Sequence, residues 1–390
     1  MSSHSAAAAP SSYSRSDNVT AILGVSWLAL PAVFAILSVT SGNTMYLWIF
    51  PSIWFVFVPL ADALMRPVSS APDRTGERHQ NDSGRPQALE SLMVPLAYAD
   101  VLVIAWLVAE SALPWHAVIA AGLSLGLVFA TVVVNSRLFG GPDDRSGALL
   151  SFFATALIGY GHYRRVNCVD HQRGCATPGD PLSARMGENF WKFLLRGSYG
   201  AIRQVWQVEN DHRDTKNRVF DALRSPIVAG SALMLGFYAV LVAVTGASMA
   251  ILLAIAWLTA VTMVAAIHYI QHYGLLRDKR RDGEYVRVGP THAWDDAHAV
   301  SGMLLLNATR HANSHTQPLR PCGELRCLDD APKLPVGYAG ATMLAMIPRA
   351  WFRVMDHRVA LWANGDMRRV NIDGAAYATL MAQYHRPTSA

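Results

Sequence analysis

The sequence predicts an all-α integral membrane protein of six transmembrane helices, arranged as three hairpins, with a cytoplasmic helical cap that carries histidine motifs. Three observations lead there. Of 390 residues, 52% are hydrophobic and 16% charged, too apolar for a disordered or collagen-like chain. No Asp, Glu, Lys or Arg occurs between Val19 and Ala61, about twice the roughly 20 residues that a helix needs to cross a bilayer. The Lys and Arg residues fall in alternate connections only, which is the charge bias of a membrane topology.

The elements follow in order. Residues 1–18 form a Ser- and Ala-rich cap, expected to be disordered, without the charged start and small-residue cleavage site of a signal peptide. Residues 19–135 hold four spans. Val19 to Thr40 and Met45 to Met65 hinge at Ser41-Gly42-Asn43; Leu92 to Leu113 and Trp115 to Asn135 are separated by Pro114. Asp100 and Glu110 in the third span are costly in lipid, and ionisable residues inside spans are often functional, so a transporter stays open as an alternative. Residues 136–226 form a cytoplasmic helical segment, with an apolar stretch Gly147 to Gly161 at the membrane surface and helices to about Arg224. Residues 227–272 give spans five and six, Ile227 to Thr245 and Ser248 to about His272, joined at Gly246-Ala247. Residues 273–390 form a cytoplasmic tail with one more helix, Tyr338 to Trp362.

The connections inside each hairpin carry no basic residue, whereas 66–91 holds Arg66, Arg74, Arg78 and Arg85. The basic loops and both termini are therefore expected in the cytoplasm of a bacterial inner membrane. The net charge of +5 is thereby accounted for by topology, which leaves nucleic acid out as a partner. Membrane lipids are the expected contacts of the spans.

Fourteen histidines are present. His162, His171, His268, His272, His292, His298, His311 and His315 are all expected on the cytoplasmic side. His268 and His272, like His311 and His315, are four residues apart and share a helix face, the geometry by which two imidazoles reach one ion. Such a nitrogen-rich site suits iron, zinc or copper. None of the four cysteines forms a Cys-x-x-Cys pair, which rules out a zinc ribbon, a thioredoxin motif and a fused rubredoxin. Cys168 and Cys175 flank His171, and Cys322 and Cys327 follow the last histidine pair. They read as small buried thiols or, for Cys168 and Cys175, as partners of His171 on zinc.

Several strings resemble the membrane alkane 1-monooxygenases and xylene monooxygenases, within the histidine-box desaturases and hydroxylases. Ala176-Thr177-Pro178-Gly179-Asp180-Pro181 and Ser183-Ala184-Arg185-Met186-Gly187-Glu188 are similar to the segment after that family's second box. His272-Tyr273-Gly274-Leu275 resembles the third box, and Arg310-His311-Ala312-Asn313-Ser314-His315 the last. Leu334-Pro335, Gly337-Tyr338 and Arg353-Val354-Met355-Asp356-His357-Arg358 also match, so the likeness runs from the first span to about Arg358. It implies O2-dependent hydroxylation of alkanes or alkyl chains at two non-haem irons held by histidines, with electrons from a separate rubredoxin-type protein.

Measured against the family's boxes, four of nine ligand histidines are present: His171, His272, His311 and His315. Ser136, Gly140, Asn167, Gln172 and Ser314 stand at the other five positions. Arg137, Val166 and Gln271 stand where the boxes carry carboxylates. An alternative register of the second box retains His162 in place of His171. The resemblance thus implies a family member whose two-iron site is impaired or lost, either a pseudoenzyme holding a lipid or alkyl chain between the helices or a functioning hydroxylase or desaturase with an altered metal site, such as one holding a single metal. His162, His268, Cys168 and Cys175 are candidate additional ligands.

Overall fold

The computed structural model describes residues 15–69, 88–139, 144–211, 225–318, 320 and 322–386. The expected cap over 1–14, Arg74, Arg78 and Arg85, Gly140 and the helix approaching Arg224 lie outside the described residues. Among the described residues the chain is helical, with isolated bridge pairs such as Met186 with Ile372 and Leu275 with Val370. Six helices are long and apolar enough to cross a membrane: α1 (Val19–Ser41), α2 (Thr44–Leu64), α3 (Leu89–Glu110), α4 (Trp115–Phe139), and two later ones. All six coincide with the predicted spans to within a few residues. Gly42 ends α1 at φ +67, the left-handed cap that glycine takes without strain, and Pro114 immediately precedes α4.

After α4 come α5 (Arg145–Ala156), a short helical run α6 over 163–174, and α7 (Phe190–Asp211). The buried residues of α7, Phe190, Phe193, Gly197, Ala201 and Val205, recur every three or four positions and lay one face on the core. The last two spans are α8 (Pro226–Thr245) and α9 (Ala247–His272), joined at Gly246 with φ +90.

The centre of the assembly is α4, 89% of whose apolar window is buried, against 11% for the peripheral α8. Its main partner is α9, and glycines let the two backbones close. A Cβ on Gly122 would stand 2.8 Å from Ile255 Cβ, and one on Gly126 would stand 2.5 Å from Thr259 Cβ and 2.7 Å from the Ala256 carbonyl. Two glycines four apart are the small-residue spacing by which helices pack in lipid, where apolar burial gives no net drive.

Asp100, the costly residue of α3, accepts a hydrogen bond at 3.0 Å from the backbone N–H of Ala32, next to Pro31, where α1 passes through a 3-10 turn. Backbone groups freed near a proline must find a partner inside the bilayer, and Asp100 supplies one. Asp62 near the end of α2 accepts from the N–H groups of Val300 and Ser301 and from the Ser301 hydroxyl, tying the span to the tail.

The tail adds α10 (His311–Thr316), α11 (Tyr338–Ala345) and α12 (Pro348–Trp362). The single helix expected from Tyr338 to Trp362 is in fact two, and the tail also holds short helices over Ala299–Leu304 and Tyr377–Tyr384. Pro348 has no N–H to continue a ladder and opens α12 instead, preceded by Ile347 outside helical geometry at φ −111, ψ 86.

Candidate metal centre

Three parts of the chain deliver one imidazole cluster. His272 is the last residue of α9, His171 follows a π-turn (Val166–Asp170) within α6, and His311 and His315 lie one turn apart on α10. π-turns recur at functional sites because the extra residue re-aims the side chains after it. The short α10 is held at its start by Asp295, whose Oδ1 accepts from Ala312 N–H while Oδ2 accepts from Leu328 N–H. Trp294 fastens this segment to α9: its backbone N–H donates to the Gln271 carbonyl and its indole N–H to the Tyr273 carbonyl.

The four rings meet through their Nε2 atoms. His272 Nε2 lies 3.1 Å from that of His171, 3.0 Å from that of His311 and 3.2 Å from that of His315, and the last two are 2.9 Å apart. All four residues are buried, and their donor atoms lie within 4.8 Å of one another.

What binds the opposite ring edges decides which nitrogen carries the proton. His272 Nδ1 is 2.9 Å from the His292 carbonyl, which can only accept, so the proton sits on Nδ1 and Nε2 presents a lone pair. His171 Nδ1 is 2.8 Å from Asp180 Oδ2, with both side chains buried. Burial works to raise the Asp180 carboxyl, yet His171, by charge and hydrogen bond, and the Ser183 hydroxyl hold it below its ordinary value. His315 Nδ1 is 3.0 Å from Gln172 Oε1. Burial, reinforced by the neighbouring imidazoles, pushes His311 and His315 far below the usual histidine value, so both are neutral. His272 and His315, with oxygen acceptors at Nδ1, turn Nε2 lone pairs toward the point where the Nε2 atoms stand at about 3 Å separation. That arrangement is repulsive unless a cation shares those lone pairs, and imidazole nitrogen suits first-row transition metals over Mg or Ca.

Asp180 is the residue that sequence reasoning passed over. Its loop is tightly made: Ser183 Oγ donates to Asp180 Oδ2 at 2.6 Å and accepts from Ala176 N–H, where Ala176 takes φ +54. A carboxylate behind a ligand imidazole fixes the ring and raises its basicity. The signal was present, since Asp180 sits in the 176–181 string that carried the resemblance, but nothing in the string says which imidazole it faces.

The other candidates lie outside the group. His268 Nε2 is 2.9 Å from the Tyr163 hydroxyl, and its ring centroid is 5.9 Å from that of His171. His162 lies beside Tyr160, with ring centroids 4.9 Å apart and the planes tilted by 47°, and lines a separate small cavity. Cys175 Sγ is 3.8 Å from His315 Nδ1, the ring edge away from the cluster, and burial pushes the thiols of Cys168 and Cys175 up, which keeps them protonated. Cys322 donates to Glu90 Oε1 at 3.0 Å, and Cys327 is buried. Of the two registers for the second box, the chain places His171, not His162, in the cluster.

Beside the cluster is a cavity of about 290 Å³, lined in part by His311, Asn167, Gln172, Ser314 and Arg137. Asn167, Gln172 and Ser314, three positions where the sequence leads one to expect a replaced histidine, thus share one space. Ser136, a fourth such position, is buried next to Arg137 with its hydroxyl unpartnered.

The fatty acid desaturase family model matches residues 113–339. The chain is 32% identical over 365 residues to the alkane 1-monooxygenase of Pseudomonas putida, covering 93% of this chain and 90% of that one. It is 32% identical over 370 residues to the alkane 1-monooxygenase of Ectopseudomonas oleovorans, with the same coverage. The xylene/toluene monooxygenase hydroxylase component of Pseudomonas putida is 24% identical over 179 residues, 46% of this chain and 47% of that one.

Proposed function

The chain belongs to the fatty acid desaturase family, among the alkane 1-monooxygenases, and on that premise we propose that this integral membrane protein holds a single transition-metal ion on His171, His272, His311 and His315 and does not carry out a two-iron hydroxylation. The observation that carries the reading is the contrast between two adjacent spaces. In one, four Nε2 atoms converge, with Asp180, the His292 carbonyl and Gln172 behind three of the rings. In the other, Asn167, Gln172 and Ser314 line a cavity with Arg137. Amides and a hydroxyl are weak ligands beside imidazole, and a guanidinium repels a cation, so two irons do not fit the residues present. Bound at the four histidines, an ion supplies Lewis acidity or, if it is iron, redox chemistry.

The ligand we assign to the protein is an alkyl chain held between the spans. The curated relatives are alkane monooxygenases by name, and a lipophilic substrate reaches such a site from the bilayer. The topology we propose has three hairpins, a cytoplasmic cap bearing the histidines and both termini in the cytoplasm, from the distribution of Lys and Arg. The transporter alternative rests on Asp100 and Glu110; the hydrogen bond from Ala32 gives Asp100 a structural task, and Glu110 is the last residue of α3.

A second reading is a hydroxylase working at the one-metal site with a rubredoxin-type donor. Asp180 behind His171 favours it, since a carboxylate in that place tunes the ligand as well as orienting it. One experiment separates the two: purified protein loaded with iron is incubated with octane, O2, rubredoxin and its reductase. The first reading expects about one ion per chain and no octanol. Octanol formation abolished by His311→Ala would establish the second, and two irons per chain would overturn both.

A further inference from the structure

We propose that the cavity beside the histidine cluster binds the carboxylate head of a short acyl chain, with Arg137 as its counter-ion. At about 290 Å³ the space matches roughly ten water molecules at ~30 Å³ each, ample for a carboxylate and several methylenes. Among the described residues that line it, Arg137 and Arg164 are cationic and none is Asp or Glu.

Arg137 makes no ion pair with a described carboxylate. Its Nη2 is buried without a hydrogen-bond partner, and the groups that interact with its charge are Cys168, Cys322, Tyr163 and Tyr338, all neutral side chains when protonated. A guanidinium N–H withdrawn from water without a partner is costly, the more so where no anion balances the charge it carries. Here a second positive charge, the ion on the four histidines, would stand close by, since His311 belongs to both the cluster and the cavity wall. An anion relieves both.

The planar guanidinium offers paired N–H donors to the two oxygens of a carboxylate. Asn167 and Gln172 add amide groups to the same wall, while Val134 and Ala308 supply an apolar side for the first methylenes. The cavity adjoins the His268 end of α9 and the Arg137 end of α4, the level at which an amphiphile in a bilayer keeps its head group. An apolar wall of Val134 and Ala308 beside the guanidinium matches a carboxylate that carries a chain better than an inorganic anion, which has no apolar part to bury.

The inference rests on the one-ion reading, because a second ion in this space would exclude Arg137. The test uses the full chain in a neutral maltoside detergent, with metal content measured on every sample so that the two readings stand or fall separately. Octanoate, octan-1-ol and inorganic phosphate are titrated calorimetrically. The expected result is saturable binding of one octanoate per chain, with octan-1-ol and phosphate each at least 10-fold weaker. Arg137→Gln should weaken octanoate at least 10-fold while leaving the metal content unchanged. Arg137→Lys, which keeps the charge and loses the fork, should weaken it by a smaller factor and serves if the Gln variant does not fold. Octan-1-ol binding as tightly as octanoate, phosphate binding as tightly, or octanoate affinity unchanged in both variants overturns the proposal.

Discussion

His171 and His272 are 101 positions apart in the chain, yet their Nε2 atoms lie 3.1 Å from each other, and the remote edges of the two rings are held by Asp180 and the His292 carbonyl. Each ring is thus fixed on the outside and presents a lone pair on the inside.

The purified chain should carry about one transition-metal ion, measured by inductively coupled plasma mass spectrometry. His272 is the ring whose Nε2 lies within 3.2 Å of all three others, so His272→Ala should reduce occupancy to near zero. Chelation should lower the thermal midpoint of the parent protein and leave that of the variant unchanged, because an ion that binds only the folded state stabilises it by mass action.

Asp180→Asn keeps a side chain of the same shape but removes the charge behind His171. The expected loss is about 10- to 100-fold in metal affinity, read by competition with a chromogenic chelator. An affinity equal to that of the parent would mean that Asp180 only closes its loop with Ser183.

At the α4–α9 contact, Gly126→Leu brings in a side chain whose Cβ alone would stand 2.5 Å from Thr259 Cβ and 2.7 Å from the Ala256 carbonyl. Overpacking of this kind costs about 1–3 kcal/mol, which unfolding in detergent should report. Gly236→Ala on α8, where an added Cβ meets nothing within 4 Å, should leave stability unchanged or raise it by up to about 1 kcal/mol.

Burial lowers the His162 imidazole from 6.5 to about 4. The unfolded chain therefore binds a proton at this site in a range where the folded chain does not. The stabilisation is complete above about pH 6.5 and is lost as pH falls toward 4, up to about 3 kcal/mol at 1.36 kcal/mol per unit. His162→Leu should show a smaller fall in thermal midpoint between pH 7 and pH 5 than the parent protein. An identical fall in both would reject this assignment.

Much of this was legible in the sequence because membrane insertion is governed by local composition. Uncharged windows of about 20 residues, with Gly42, Pro114 and Gly246 between them, gave six helices whose ends the structure moves by only a few positions. The division of Tyr338 to Trp362 could have been read from Pro348. The α4–α9 contact was likewise signalled by Gly122 and Gly126, four apart.

By itself, then, the sequence determined the six helices and singled out His171, His272, His311 and His315 as candidate ligands. Only the tertiary structure decided that those four histidines meet at one point, that Asp180 rather than Cys175 supports one of them, and that Asn167, Gln172 and Ser314 share a cavity with Arg137. The reason is physical. A helix follows from the free energy of neighbouring residues in lipid, whereas a lone pair has a direction, and whether it meets an ion, a carboxylate or a guanidinium depends on how segments up to more than 100 residues apart are set against one another.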